Sequence, residues 1–427
     1  ALIVPDREGP TGPFSLYRIS IDVGGRTRWT FPAESSPGAG DKDPAVSPDG
    51  TRLAFNRNGV LHLVDLDDRL QPRGRAREIA DLRGLAMAGE LFGPWGLAWT
   101  ADSRELVFPW GSWPDPRLYR ISAEGGPIRP LGGLASGTFA PAISLAGDRL
   151  AYMEWIVRYD IWQIEVDEAR KAISEPSRLI ASSRLDSNPV ISPGGERIAF
   201  HSNRTGRYGI WIASSSGDGA RPLTPRCGEE DPPVPERHFG WSPDEASIVF
   251  STRGDLFVAD VASGGCRALT TGPAVDTSPT WSRDGWVYFS SSDAGVRNVR
   301  RVPADGGAEE PVTADGGSLL AVSPDGSRVY YARDRALWAL PAAGGEAHEV
   351  VTDVEDFQGA PDYVVATEEG LFLARNRRTN RLEYLDLASG TSTLIHEHEE
   401  WILGLSASAD GRRLVYGLAE TGRSDLM

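Results

Sequence analysis

One short string recurs along this chain of 427 residues. It stands as "AVSPDGTRLAF" at Ala45, "VISPGGERIAF" at Val190, "GWSPDEASIVF" at Gly240, "TWSRDGWVYF" at Thr280, "AVSPDGSRVYY" at Ala321 and "LSASADGRRLVY" at Leu405. Looser copies centre on Thr100, Ser144 and Thr367, so consecutive copies lie 40 to 53 residues apart. A period of this size means that one supersecondary unit is repeated and that each unit buries its apolar surface against its neighbours.

The segment Asp186 to Thr224 shows what the unit is. "NPVIS", "RIAFHS", "GIWIAS" and "ARPLT" favour strand and are separated by turn residues. Ile198 and Phe200 alternate with Ala199 and His201, so the strand offers an apolar surface on both faces. A four-stranded sheet of this kind cannot bury either face alone. Packing between two like sheets in a ring solves the problem and leaves only short edges. In the recurring turn, Pro48 presets φ, Asp49 can bond the amides of its own turn, and Gly50 accepts a positive φ. These aspartates are therefore expected to be structural. The reading is an all-β chain, a β-propeller of four-stranded blades, with residues 1–427 forming a single domain closed by strands from both termini. Counting strand-like runs favours nine blades, with eight as the second choice.

"SPDGTRLAF", "SPGGERIAFHSNRTGRYGIWIASSSGDGARPLT" and "WSRDGWVYFSSSDAGVRNVRRVPADGGAEEPVT" resemble the repeats of TolB-like propellers, which also occur in tricorn-type and prolyl-oligopeptidase-type proteins. A narrower likeness is carried by "GLAWTADSRELVF", "APAISLAGDRLAY" with "YDIWQIEV", and the ending "SADGRRLVYGLAETGRSDLM". These strings resemble the C-terminal periplasmic propeller of CadC-type winged-helix bacterial regulators. In that family a DNA-binding domain and one membrane helix precede a periplasmic sensor region. The resemblance implies an extracytoplasmic sensor or assembly module, possessed of no catalytic residues, that binds a protein or small ligand at one rim and belongs to a membrane-anchored protein or complex. Two alternatives stand beside it: the gating propeller of an oligopeptidase-like hydrolase whose catalytic domain is elsewhere, and a structural subunit of a membrane-associated assembly.

Composition narrows the partners. A net charge of −16, without any basic run, is the opposite of a nucleic-acid footprint. No apolar run approaches the ~18 residues of a membrane helix, and the opening "ALIVPDREGP" lacks the pattern of a signal peptide. The chain opens in mid-strand and is read as a mature or truncated piece of something longer. No G-x-S-x-G elbow, HExxH, P-loop or dinucleotide fingerprint is present, so neither a catalytic residue nor a cofactor is expected. In "HEHEE", His396 and His398 share one face if the segment is extended, yet no third ligand is predictable and no metal site is assigned.

The binding hypothesis falls on the blades that depart from the pattern. "ELFGPWG" and "FPWGSWPDPRLY" carry Trp95, Trp110 and Trp113, and "MEWIVRYDIW" carries Trp155 and Tyr159. Their loops are expected at one rim, where clustered aromatics would anchor a partner. The insertion "CGEEDPPVPERHFGW" adds Arg237 and His238 near the expected channel entrance. Cys227 follows an outer strand and Cys266 begins the next one. Up-and-down connectivity puts such connections at opposite rims, so both cysteines are expected to be free thiols.

Overall fold

The computed structural model describes residues 2–7, 13–20, 25–32, 40–82, 96–111, 116–134, 137–227, 235, 237–293, 295–352, 363–376 and 379–426, the side chains of 155–157 and 421–426 excepted. Every named element is a β-strand, and most strands belong to four-stranded antiparallel sheets. Two compact units emerge, residues 1–156 with 422–427 and residues 157–421.

The first unit contains a three-stranded sheet (Leu2–Arg7, Phe14–Ile19, Arg26–Arg28) and two four-stranded sheets that begin at Asp41–Val46 and Ala98–Trp99. Thr138–Ile143 pairs with the first residues of the long strand Leu150–Glu165. The sheets that begin at Asp41–Val46 and Ala98–Trp99 share a core of Ala54, Leu61, Leu63, Trp99, Leu106, Phe108, Trp110 and Ile121.

The second unit is built from six sheets. Five are complete and begin at Asp186–Ile191, Phe239–Trp241, Val275–Trp281, Ser318–Val322 and Val364–Ala366. The sixth is composite: Trp401–Ala407 and Arg413–Leu426 supply its first two strands, and Leu150–Glu165 with Ser177–Ile180 supplies the other two. The first strand of each sheet touches the first strand of the next, and Trp401–Ala407 meets both Asp186–Ile191 and Val364–Ala366, which completes the cycle. Within this unit six sheets close a ring; the sequence count of nine was made for the whole chain, whose described strands fall into nine sheets. The C-terminal strands do close this ring, as expected, but the strands they lie against are Leu150–Glu165 and Ser177–Ile180 from mid-chain, in the place expected of the N-terminal residues.

The recurring turn explains its own composition. Ser47, Ser242, Ser323 and Ser408 each donate through Oγ to the aspartate two residues on, Asp49, Asp244, Asp325 and Asp410. Each of these serine oxygens also accepts the amide five residues on, from Arg52, Ser247, Arg328 and Arg413. The bond from serine is the chief reason that Asp49 and Asp325 are held at about 2. Gly50, Gly326 and Gly411 take the positive φ that closes the turn.

Neighbouring sheets are locked by a second repeated device. Trp241 donates its indole N–H to the Val190 carbonyl (3.0 Å), and the Arg197 guanidinium covers the ring at 4.7 Å while bonding the Glu245 carbonyl and carboxylate. The first unit repeats it with Trp99, Ala45 and Arg52. Beneath the Trp241 clamp, Ile210 and Ile212 pack on Phe239, Ile248 and Phe250, all buried. Each such side chain contributes about 1.5–3 kcal/mol when withdrawn from water.

Cys227 and Cys266 form a disulfide, with Cα atoms 4.6 Å apart, which corrects the expectation of free thiols. The opposite-rim argument assumed full-height outer strands. Arg221–Pro222 has only two residues and Cys266–Ala268 only three, so the two connections are not separated by a strand length. Instead Arg226 runs parallel to Gly265 and donates its amide to the Gly264 carbonyl, bringing the cysteines together.

Candidate binding channel

The inner strands of the second unit surround a cavity of about 500 Å³, and all six contribute to its wall. The lining lies mainly at the ends of those strands and in the turns that come after them, from Val190 to Pro193, Trp241 to Pro243, Pro279 to Arg283 and the corresponding residues of the other sheets.

Local backbone geometry aims this wall. The strands at Asp186–Ile191, Val275–Trp281 and Trp401–Ala407 each carry a bulge, and Asn188, Ser278 and Gly404 occupy the left-handed region at φ 51°, 59° and 74°. A bulge adds one residue and bends the strand, so the residues beyond it are redirected. Pro189 and Pro279 come next in two of them, where a missing amide costs no ladder bond. Close approach is also required: a Cβ on Gly404 would stand 2.7 Å from the Asn188 Cα. Ile191 donates its amide to Ser406 Oγ across the same seam.

Chemically the channel is mixed. Trp281 is half-buried, Trp241 is almost fully buried, and His238, Arg283 and Glu368 are the titratable or charged members of the lining. Serines of the recurring turn (Ser192, Ser242, Ser323, Ser408) complete the wall, and their hydroxyls are already committed to the turn. Such a surface can take an apolar or aromatic group and orient it through a few polar contacts. Among the described residues, no group of three or more His, Cys, Asp or Glu side chains is arranged to hold a metal.

Of the residues singled out in the sequence, His238 lines the channel and Arg237 beside it is half-buried. Trp110 is only 2% exposed and belongs to the core of the first unit, so it is not the exposed anchor expected of it. Its place on the strand Glu105–Trp110, two residues after Phe108, points it into the inter-sheet layer by simple alternation. Tyr159 lies in the second unit and is buried with Leu185 and Ala419. Trp95 and Trp113 lie outside the described residues, as does the side chain of Trp155. Sequence reasoning overlooked Trp241, Trp281, Arg283 and Glu368. Their signal was present in the repeat itself, as the residue before or after the Ser or Thr of the turn.

The class defined by this architecture is the β-propeller: four-stranded antiparallel blades whose inner strands ring a channel. Comparison with known proteins makes the resemblance TolB-like. The chain is 32% identical over 149 residues to an uncharacterised protein of Agrobacterium fabrum, covering 33% of this chain and 48% of that one. It is 33% identical over 112 residues to the Tol-Pal system protein TolB of Anaeromyxobacter dehalogenans, covering 24% of this chain and 23% of that protein. The chain thus spans about half or less of the length of the curated relatives it matches. Among solved structures, a putative TolB from Agrobacterium tumefaciens aligns over 82% of this chain and 95% of its own, at 18% identity and a TM-score of 0.35. The tricorn protease aligns over 97% of this chain and 46% of its own, at 16% identity and a TM-score of 0.34. No family model matches the chain.

Proposed function

We propose that this chain is a non-enzymatic, TolB-like binding module that receives a segment of another protein, or a small ligand, in the channel of its second unit. The supporting observation is the cavity of about 500 Å³ walled by all six inner strands, with an accessible indole at Trp281 and charged groups at Arg283 and Glu368. Rigid strands fix the wall while the chemistry sits at strand ends and turns, the arrangement by which scaffolds carry recognition. A net charge of −16 favours partners with basic or neutral surfaces. The disulfide and the TolB likeness favour an extracytoplasmic, periplasmic-type compartment, where such bonds persist. In that setting the module serves as a sensor or an assembly piece of a membrane-anchored protein or complex, the role implied by the resemblance to CadC-type regulators.

Site-specific photo-crosslinking tests this reading. A crosslinker at Arg283, inside the channel, should capture a discrete partner from envelope extract, and Trp281→Ala should abolish that capture. The same crosslinker at Glu310, on an exposed outer strand, should not capture it. Capture only from the outer position would refute the channel, and peptide hydrolysis by the purified chain would refute the non-enzymatic assignment.

A further inference from the structure

The first three residues of "HEHEE", His396 to His398, end the strand Ser392–His398, the outer strand of the sheet that begins at Val364–Ala366. His396 stands opposite Leu382 and His398 opposite Asn380, so the two imidazoles project from one face while Glu397 is exposed between them. Their ring centres are 4.6 Å apart with planes inclined at 59°. Tyr416, from the neighbouring closing sheet, also stands beside His398, with ring centres 5.2 Å apart.

Three polar side chains thus meet between two blades without satisfying one another. His398 Nε2 and the Tyr416 hydroxyl are both buried and have no hydrogen-bond partner, and Tyr416 is 0% exposed. A pair of apolar residues would fill the same seam without orphaning a nitrogen and a phenol. His396 is half-buried and gives the group a path to solvent.

We propose that His396 and His398 bind one copper(II) ion, with Tyr416 as the hydrogen-bond partner of a water on that ion. An ion about 2.0–2.1 Å from one nitrogen of each imidazole lies roughly 3.2 Å from each ring centre. A centroid separation of 4.6 Å then corresponds to an angle of about 90° at the ion. Adjacent ligands at a right angle suit tetragonal copper(II), which also binds nitrogen donors most tightly among the divalent first-row ions. The remaining positions fall to water, since the described residues supply no further His, Cys, Asp or Glu to the group. This site is separate from the channel, and its test does not depend on the channel's partner.

The test is copper(II) titration of the tag-free, metal-stripped chain by calorimetry, with electron paramagnetic resonance of the one-equivalent complex. One equivalent should bind, with hyperfine splitting from two nitrogens. His396→Ala should weaken binding on the order of a hundredfold by removing the chelate, with an unchanged melting temperature because that side chain is half-buried. His348→Ala, at an exposed histidine elsewhere on the surface, should leave binding intact. Tyr416→Phe should keep the two-nitrogen signature and alter only the equatorial water. Absence of stoichiometric binding, or equal affinity in His396→Ala, overturns the proposal. Should His398→Ala fail to fold, His396→Ala decides alone.

Discussion

Reduction of the Cys227–Cys266 bond should destabilise the second unit measurably. The cysteines are 39 residues apart, and the bond ties the segment leaving one sheet to the outer strand of the next. For a loop of that length, the entropy removed from the unfolded chain amounts to about 4 kcal/mol at 25 °C. Part of the local geometry survives reduction, because the Arg226 amide still reaches the Gly264 carbonyl. The clean perturbation is Cys227→Ala with Cys266→Ala, since both sulfurs pack against the core formed by Ile210, Phe239 and Phe250 and a serine would bury a hydroxyl there. Urea denaturation of the oxidised chain, the chain in excess reductant and the double variant should place the last two about 1–2 M below the first, taking an m-value of roughly 2–3 kcal/mol/M. Thiol titration of the denatured, unreduced chain should find no reactive groups. Two reactive thiols, or coincident urea curves, would refute the reasoning.

Other expectations rest on single positions. Gly404→Ala combines a φ of 74° with a Cβ only 2.7 Å from the Asn188 backbone, so it should cost about 2 kcal/mol or more in chemical denaturation, and a neutral result would disprove the close seam. Trp110→Ala should cost about 3–5 kcal/mol and lower the melting temperature, as expected of a core indole and not of a surface anchor. Burial raises Asp43 to about 6, above its unfolded value, so its carboxylate opposes folding at pH 7 and that cost fades as pH falls through 6. Asp43→Asn should therefore be more stable than the parent at pH 7.5, with an advantage that shrinks as pH falls through 6 and vanishes only below about pH 4, a difference that melting curves against pH would read. Asp49, held at about 2, has the opposite sign: its stabilisation is complete above about pH 4 and is lost as pH falls towards 2.

The sheets were legible because a turn such as Ser323-Pro324-Asp325-Gly326 is chemically self-sufficient. Its serine, aspartate and glycine satisfy one another locally, so the motif marks a hairpin wherever it occurs. Features that depend on the meeting of separate units were harder to see. The pairing of Cys227 with Cys266 rests on outer strands of two and three residues, a length that no local pattern announces. Trp110 was misjudged for a related reason. Its proline-rich surroundings suggested a loop, whereas the strand Glu105–Trp110 extends through Pro109 and carries the indole inward. The channel wall escaped notice because its members, such as Trp281 and Glu368, are far apart in sequence and converge only when six inner strands do. His238 was within reach because it immediately precedes an inner strand.

The composite sixth sheet also sets a schedule for biosynthesis. Its two halves flank residues 181–400, so on a ribosome adding about 5–20 residues per second the first half waits roughly 10–45 s for the second to be made. Through that interval the hairpin of Leu150–Glu165 and Ser177–Ile180 has no strand pair to lie against, and Ile161 and Ile164, fully covered in the finished molecule, stand open to water. A nascent chain in this condition is a substrate for holdase chaperones, and a message truncated before residue 401 yields five blades that cannot latch.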